Sequence, residues 1–381
     1  MTKPIDGTGD LVRVRIPYSI DRRSLLKGVA ATGTAAGLGM LSQSAAAATT
    51  LNYVGWEGYD TFLEAGDYLQ SNDVTLQKSF ISAPDEIVTK LRLNSSQVDL
   101  CTPFSIHNDF LANTGLLEPL DLSKIPNFEH IHPTVLKYCE ANMSEGGNWY
   151  AAPMTYGAIC MMYNADEIPE PTSWTDMLKD EYKGKCAITS DYPGNIFAWA
   201  RVAGVEQPSH MTYDELDKTV ELLIDLKKNH LRTIASSYGD LINLLANKEI
   251  LIGQGWEPVS VWVGEEVNVK VAYPQEKCMG FIEGYAIGRG SANVDAAHAI
   301  INHALSVEGQ LAGAEWNTMP VVNAEAISQV GEMNQALYRY DNLEEYFTEK
   351  TQVMPMYPLE ADGTHPTWDE YQAAWERVLK A

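Results

Sequence analysis

Positive charge is scarce in this sequence. Its 381 residues include 27 Lys and Arg against 51 Asp and Glu, which gives a formal net charge of −24 at pH 7. Because nucleic-acid phosphates are bound by Lys and Arg that displace counterions, this balance argues against a nucleic acid as a partner. A negative field of this size attracts cations, although solubility in a salty habitat explains it more simply.

Long apolar runs are missing as well. The apolar run at 29–41 is shorter than the ~20 residues that cross a bilayer, and no later run reaches that length. The run follows a twin-arginine pattern at 21–27 and ends in small residues at 42–48, which suit a signal peptidase. We therefore predict that residues 1–48 are a twin-arginine signal peptide, with a retained membrane anchor as the alternative, and that the chain is exported to the periplasm.

The signatures of common enzyme classes are absent from the sequence. It contains no G-x-S-x-G nucleophile elbow, no H-E-x-x-H, no Walker loop and no G-x-G-x-x-G that opens a helix. His130 and His132 stand in a proline-flanked loop without a clear third metal ligand. We expect neither a metal nor another cofactor. An exported enzyme that uses Asp191 or Glu283 as acid or base is the alternative from another class, and it would carry a chromophore or a metal.

Cysteines are few and lack the CxxC spacing of metal and redox sites. An odd count leaves at least one thiol unpaired in an oxidising compartment. Three of them stand in apolar, strand-like runs and are interpreted as buried free thiols, namely Cys101, Cys160 and Cys186. The other two are Cys139 and Cys278.

Strand-like and helical patterns alternate in the first part of the mature chain. Apolar segments at 50–54, 74–80 and 98–102 are separated by a helical pattern that starts near Asp60 and by a second one at 85–94. This alternation indicates the α/β class, with a parallel sheet covered by helices on both faces.

A second block begins with the continuous apolar run at 158–163. It closes at 284–287 with a strand that returns to the first block. A mature chain of this length exceeds the usual size of a single core. We therefore predict lobe 1 at 49–155 and 284–381, and lobe 2 at 156–283, with two crossovers between them. The amphipathic helix at 368–379 belongs to lobe 1 or packs on lobe 2.

Aromatic residues and carboxylates recur where predicted strands end or cross between lobes. Open α/β sheets place their ligands at such turns. Aromatic faces with a few acids suit an organic ammonium, which needs cation–π attraction and a charge-assisted hydrogen bond at an N–H end. Ordinary packing could explain any one of these residues, but the repetition favours a ligand site. The candidates are Trp56, Tyr59, Asp191, Trp256, Glu257, Phe281, Glu283 and Trp316.

Several motifs resemble the family-1 extracellular solute-binding proteins, specifically their spermidine/putrescine-binding branch. The resemblance covers nearly all of the mature chain. It is carried by the Gly-Trp-Glu-Gly-Tyr motif at 55–59, by Tyr-Ala-Ala-Pro at 150–153, by Pro-Thr-Ser-Trp at 171–174 and by Glu-Tyr-Lys-Gly-Lys at 181–185. It implies a two-lobed periplasmic-binding-protein fold of the type II kind, with a ligand held in the cleft between the lobes.

The resemblance also implies a role for each candidate residue. Trp56 and Tyr59 would form walls, Asp191 would bind an amine and Trp256 would stack. Phe281 would supply a further wall, with Glu283 as a second acid. Two departures stand out: the family's serine and tyrosine after the third strand are Phe104 and Ile106 here, and an acid expected three residues beyond Asp191 is Gly194.

Together these features predict a periplasmic solute-binding protein of an ABC importer that captures a small organic cation. A polyamine such as putrescine or spermidine comes first, because Asp191, Glu257 and Glu283 offer two anionic ends. The departures at Phe104, Ile106 and Gly194 remove polar or acidic partners of the ligand. They favour the alternative, a quaternary ammonium or sulfonium solute of the choline or betaine type, which needs fewer acids. The expected partners are an ABC permease and its ATPase, and the protein is expected to be a monomer.

Overall fold

The computed structural model describes residues 48–81 and 85–381. All but the last residue of the predicted signal peptide lies outside this range. Strands in the described residues are β1 (Thr49–Gly55), β2 (Val74–Phe80), β3 (Leu100–Cys101), β4 (Ser144–Glu145), β5 (Asn148–Trp149), β6 (Ala151–Asn164), β7 (Cys186–Thr189), β8 (Leu231–Ala235), β9 (Ile252–Trp256), β10 (Val269–Ala272), β11 (Cys278–Ala286) and β12 (Thr351–Val353).

The helices alternate with these strands in the first two thirds of the chain and follow one another after β11. They are α1 (Tyr68–Ser71), α2 (Asp85–Asn94), α3 (Asn108–Asn113), α4 (Pro133–Met143), α5 (Tyr192–Val202), α6 (Tyr213–Asn229), α7 (Tyr238–Ala246), α8 (Val259–Trp262), α9 (Val294–Ala304), α10 (Val307–Asn317), α11 (Ala324–Ile327), α12 (Glu332–Tyr338), α13 (Leu343–Glu345) and α14 (Trp368–Lys380). None of them is long and apolar enough to cross a bilayer.

The helix predicted from Asp60 does not form. In its place stand a 3₁₀ turn, Tyr59–Phe62, and the four-residue helix α1. Gly66 lies between them with φ +59°, a left-handed conformation that ends any helix entering it.

One mixed sheet of ten strands organises the molecule. Its main order is β2-β1-β3-β11-β6-β9-β7-β8, while β10 pairs with β6 and β12 with β11. The neighbours β2-β1-β3 and β9-β7-β8 are parallel, as the α/β pattern predicts. Strands β11 and β6 run antiparallel between these two parallel groups and connect them.

Strand β6 is the longest strand and every one of its fourteen residues is buried. A strand covered on both faces requires a continuous apolar run, and the sequence supplies one at 158–163. The crossovers predicted near Pro153 and Gly284 lie on β6 and β11, where these two residues are paired. The lobe boundaries stay a prediction.

The longer helices have the local signals that fix their ends. Asp191 caps the start of α5 and Pro193 follows in its first turn. Thr212 and Glu215 form a capping box at the start of α6, which buries an apolar stripe that includes Leu216, Val220 and Leu223. The C-terminal helix α14 packs mainly on α6 and also on α5.

Candidate functional site

Three strands place aromatic side chains together on one face of the sheet. Phe281 of β11 lies opposite Gly157 of β6, and Trp256 of β9 lies opposite Ile159. The ring centroids of Trp256 and Phe281 are 6.1 Å apart, and Phe104 lies 6.4 Å from Phe281. These three rings form a buried or half-buried wall of the kind that attracts a cation.

Gly157 makes this wall possible. A Cβ atom at this position would lie 2.5 Å from Trp256 Nε1 and 2.6 Å from Phe281 Cζ, closer than any real side chain can approach. The absence of a side chain therefore allows the two rings to converge over β6. Trp262 of α8 meets Trp256 edge-on, with a centroid separation of 5.7 Å.

Glu283 follows Phe281 on the same face of β11 and is 1% exposed. Its carboxylate accepts a hydrogen bond from the Ser105 N–H, whereas Glu283 Oε2 has no hydrogen-bond partner in the described part of the chain. Burial raises the pKa of the Glu283 carboxyl well above its ordinary value. A buried acceptor without a donor is costly, which makes this oxygen a place for a ligand's N–H.

Two tyrosines, Tyr59 and Tyr238, interact electrostatically with the two acids of the site: Tyr59 with Glu283, and Tyr238 with Asp191. The pKa of the Tyr59 phenol is raised by burial and by the charges of Glu283, Tyr53 and Tyr238. The pKa of Tyr238 is raised by burial and then by Asp191. Tyr238 therefore interacts electrostatically with Asp191 and with Tyr59. It stands at the start of α7, just after β8, so the strand-end rule that selected the other candidates also applies to it.

Asp191 is the second acid of this region. Its Oδ1 accepts the Gly194 N–H at 3.4 Å, and burial raises the pKa of the carboxyl to about 6. A Cβ atom at Gly194 would lie 3.0 Å from Asp191 Oδ2 and 2.9 Å from the Ile159 side chain. Gly194, where the family has an acid, therefore lies between Asp191 and the Ile159 side chain of β6 and leaves no room for a side chain of its own.

Three candidates are placed differently. Glu257 is fully buried, and both of its oxygens are occupied: Oε2 accepts the Ala158 N–H at 2.9 Å, and Oε1 accepts the Tyr346 hydroxyl at 2.6 Å. Trp316 is 64% exposed near the end of α10. Trp56 is half-buried, and its carbonyl accepts the Tyr53 hydroxyl at 3.3 Å.

No group of three or more His, Cys, Asp or Glu side chains within 48–81 and 85–381 is arranged to hold a metal ion. His132 uses Nδ1 to accept the Thr134 N–H at 3.2 Å, and His130 Nδ1 lies 3.6 Å from Glu325. The site therefore consists of aromatic walls and carboxylates: Tyr59, Phe104, Asp191, Tyr238, Trp256, Phe281 and Glu283. We call these seven residues the binding group.

Residues 60–337 match the family described as bacterial extracellular solute-binding protein. The chain belongs to this family. The membership confirms the predicted resemblance and the prediction that the chain is a solute-binding protein rather than an enzyme.

Two curated relatives illustrate how distant the solute-binding protein is from characterised members. It is 25% identical over 281 residues to the putrescine-binding periplasmic protein PotF of Escherichia coli, covering 68% of this chain and 74% of that protein. It is also 25% identical over 297 residues to the spermidine/putrescine-binding periplasmic protein of Salmonella typhimurium, with coverage of 76% and 82%.

A solved structure shows the same fold. The solute-binding protein superposes with a TM-score of 0.69 on the spermidine/putrescine ABC transporter substrate-binding protein PotD of Streptococcus pneumoniae, at 20% identity. The match covers 87% of this chain and 99% of that one. The predicted α/β periplasmic-binding-protein fold is therefore confirmed.

Proposed function

We propose that this protein captures a short polyamine of the putrescine class and delivers it to an ABC permease with its ATPase. The observation that carries the proposal is the buried, unpartnered Oε2 of Glu283 beside the ring of Phe281. An ammonium placed there gains a charge-assisted hydrogen bond and lies against an aromatic wall. Two of the relatives are named for binding putrescine, which agrees with this chemistry.

The length of the ligand follows from the spacing of the acids along β6. Glu283 lies opposite Thr155, and Gly194, whose N–H donates to Asp191, faces Ile159, four residues further along the strand. Four residues of strand span ~13 Å. Two acids held about this far apart along one strand favour a short diamine, whose two ammonium groups can each reach one carboxylate, over a longer polyamine.

A quaternary ammonium or sulfonium solute is the second candidate. Phe104 and Gly194 stand where the family has polar or acidic residues, so the wall is more apolar than the resemblance implies. Such a cation carries methyl groups in place of N–H donors, and it would leave Glu283 Oε2 without a hydrogen bond. The unpartnered oxygen therefore favours an amine.

Three variants distinguish these ligands by calorimetry with putrescine, cadaverine, spermidine, choline and glycine betaine. Trp256→Ala should weaken every cation about 30-fold, because cation–π attraction worth ~2 kcal/mol depends only on charge over a ring. Glu283→Gln and Asp191→Asn should weaken a diamine by about 10- to 100-fold, because a hydrogen bond to a charged group is lost. The same two changes should affect choline much less.

Trp316→Ala is the matched control, because Trp316 is exposed and lies outside the binding group. Its affinity for the diamine should equal that of the wild type. Diamine binding that survives both Trp256→Ala and Glu283→Gln would show that the site lies elsewhere. Choline binding that exceeds diamine binding would establish the second candidate.

Proton release gives an independent signature of the amine at Glu283. Burial raises the pKa of this carboxyl, and an ammonium bound beside it favours the charged form and lowers that pKa again, so binding should release protons at pH values between the free and the bound pKa. The apparent binding enthalpy of a diamine should therefore vary with the ionisation enthalpy of the buffer in the wild type. The variation should shrink in Glu283→Gln, and an undiminished variation would contradict the assignment.

A further inference from the structure

Cys160 and Cys278 stand directly opposite each other on neighbouring antiparallel strands. The register pairs Met279 with Ile159 and Gly280 with Ala158, so the next row outward joins Cys278 of β11 to Cys160 of β6. After burial, the Cys278 thiol is the next cause of the raised pKa of the Cys160 thiol, as expected for neighbouring thiols. Both cysteines are fully buried, and all five cysteines of the chain are free thiols in the structure.

The backbone geometry of this row suits a covalent bond. Residues opposite each other in an antiparallel pair have Cα atoms about 4.5 or 5.5 Å apart, depending on whether they share ladder hydrogen bonds. Both values fall within the range of about 4.4–6.8 Å that disulfides require. Opposite residues also point to the same face of the sheet, so the two sulfurs can meet without a movement of either strand.

We propose that Cys160 and Cys278 form a disulfide when the chain folds in the presence of an oxidant that itself carries a disulfide. This inference departs from the interpretation of Cys160 as a free thiol, which the sequence alone favoured. It does not rest on the proposed ligand. In the reaction each thiol loses one hydrogen and the Sγ–Sγ bond forms. The two electrons and two protons pass to a disulfide-bearing oxidant, which is reduced to two thiols.

The position of the pair gives the bond a mechanical role. The loop it closes, 160–278, contains nearly all of the predicted second lobe, 156–283. The disulfide would therefore join the strand that enters this lobe to the strand that leaves it. Side chains alternate along a strand, so Cys160 and Cys278 face away from Gly157, Phe281 and Glu283. The bond would leave the binding group unobstructed.

The remaining cysteines do not stand opposite another cysteine. A carbonyl acceptor alone does not distinguish them, because Cys160 Sγ also donates to the carbonyls of Ala158 and Gly255, at 3.8 and 3.7 Å. Cys101 Sγ donates to the Ala286 carbonyl at 3.7 Å, and Cys186 Sγ donates to the Tyr182 carbonyl at 3.5 Å. Cys139 Sγ donates to the Leu136 carbonyl at 3.5 Å. These three are expected to stay reduced.

Oxidative refolding of the full chain tests the proposal. Burial raises the pKa of the Cys160 thiol, which suppresses the reactive thiolate in the folded protein. The chain should therefore be denatured with reductant and refolded with reduced and oxidised glutathione. It is then denatured again and alkylated with N-ethylmaleimide. We expect three adducts by intact mass, five after prior reduction, and one cross-linked peptide that contains Cys160 and Cys278.

Two serine variants serve as a matched pair. Cys278→Ser should give four adducts, and Cys186→Ser should give two with the same cross-linked peptide. Reduction should lower the melting temperature of the wild type and leave that of Cys278→Ser unchanged. Five adducts on the oxidised wild type would overturn the proposal. So would a mixed disulfide with glutathione at either residue or a cross-link between other cysteines. Diamine affinity should be equal in the wild type and Cys278→Ser, so this test is separate from the proposed function.

Discussion

Two buried glutamates, Glu257 and Glu283, show how the hydrogen-bond partners around a side chain determine its role. Hydrogen-bond donors occupy both oxygens of Glu257, whereas one oxygen of Glu283 has no partner in the described part of the chain. The sequence suggested both as ligand acids because both follow aromatic residues. The apolar run at 250–253 predicts a strand that ends there, but β9 continues to Trp256. Adjacent residues of an extended chain point to opposite sides, so Trp256 and Glu257 separate.

Glu257 should make stability depend on pH. Burial raises the pKa of its carboxyl from 4.5 to about 7. The folded state therefore holds this proton more tightly than the unfolded state, and the free energy of unfolding falls as pH rises from about 4.5 to 7. The full loss is about 3 kcal/mol above pH 7, because each pKa unit corresponds to ~1.4 kcal/mol.

Glu257→Gln should flatten this dependence, since an amide of the same shape does not ionise. Urea unfolding of the wild type and the variant between pH 4.5 and 8 measures the difference. Tyr273 and Tyr346 contact the carboxyl but stay neutral in this range, because burial raises the pKa of each phenol well above 10. Parallel curves for the two proteins would show that Glu257 does not titrate there.

At the scale of single elements, β6 supports the binding wall through the absence of one side chain. Gly157→Ala would place a Cβ atom 2.5 Å from Trp256 Nε1 and 2.6 Å from Phe281 Cζ. The rings must then separate, so we expect the affinity for every cation to fall at least tenfold, with a changed near-ultraviolet circular dichroism. Gly331→Ala is the control, because a Cβ atom there meets nothing within 4 Å. Unchanged affinity in Gly157→Ala would show that the two rings do not need to converge.

The C-terminal helix α14 ties together segments that are distant in sequence. Trp368 lies 4.7 Å from the His107 ring, and its Nε1 donates to the Tyr192 hydroxyl at 2.7 Å. Gln372 donates to Asp85 at the start of α2. The amphipathic pattern at 368–379 predicted the helix, but these partners come from three distant parts of the chain and no local pattern indicates them.

Trp368→Ala should therefore lower the free energy of unfolding by about 3–5 kcal/mol, the usual cost of removing a buried aromatic side chain. Trp316→Ala removes the same side chain from an exposed position and should stay within ~0.5 kcal/mol of the wild type. Urea unfolding curves for both variants give the comparison. If Trp368→Ala lowers the free energy of unfolding no more than Trp316→Ala does, the packing of α14 contributes little to the stability of the folded state.

For the whole molecule, we expect the two predicted lobes to close on the ligand as rigid bodies. Only the crossover segments then change conformation. X-ray scattering with and without saturating putrescine should show a smaller radius of gyration in the bound state. Identical radii at saturation would remove the closing step.

The sequence predicts the molecule best where signals are local. The alternation of strands and helices predicts the parallel group β2-β1-β3. A strand end indicates Trp256, and the predicted lobe crossing indicates Phe281 and Glu283, which lie in the middle of β11. Pairings between distant strands have no local signal. The contact between Ser105 and Glu283 and the row that joins Cys160 to Cys278 both depend on where β11 lies in the sheet, which the sequence does not specify.

The ladder between β6 and β11 is interrupted at one level. The register shifts between Glu283 and Gly284, so Met154 is left without an opposite residue, and the next partner, Pro153, has no N–H to donate. Two strands that lose a backbone pairing together bend most easily there, so we expect the predicted lobes to pivot at this level. When the lobes close, a group beside the pivot moves very little, whereas a group ~13 Å away moves through a much larger distance. Glu283 would therefore bind the first ammonium in the open protein, and Asp191 would reach the second ammonium only when closure is complete.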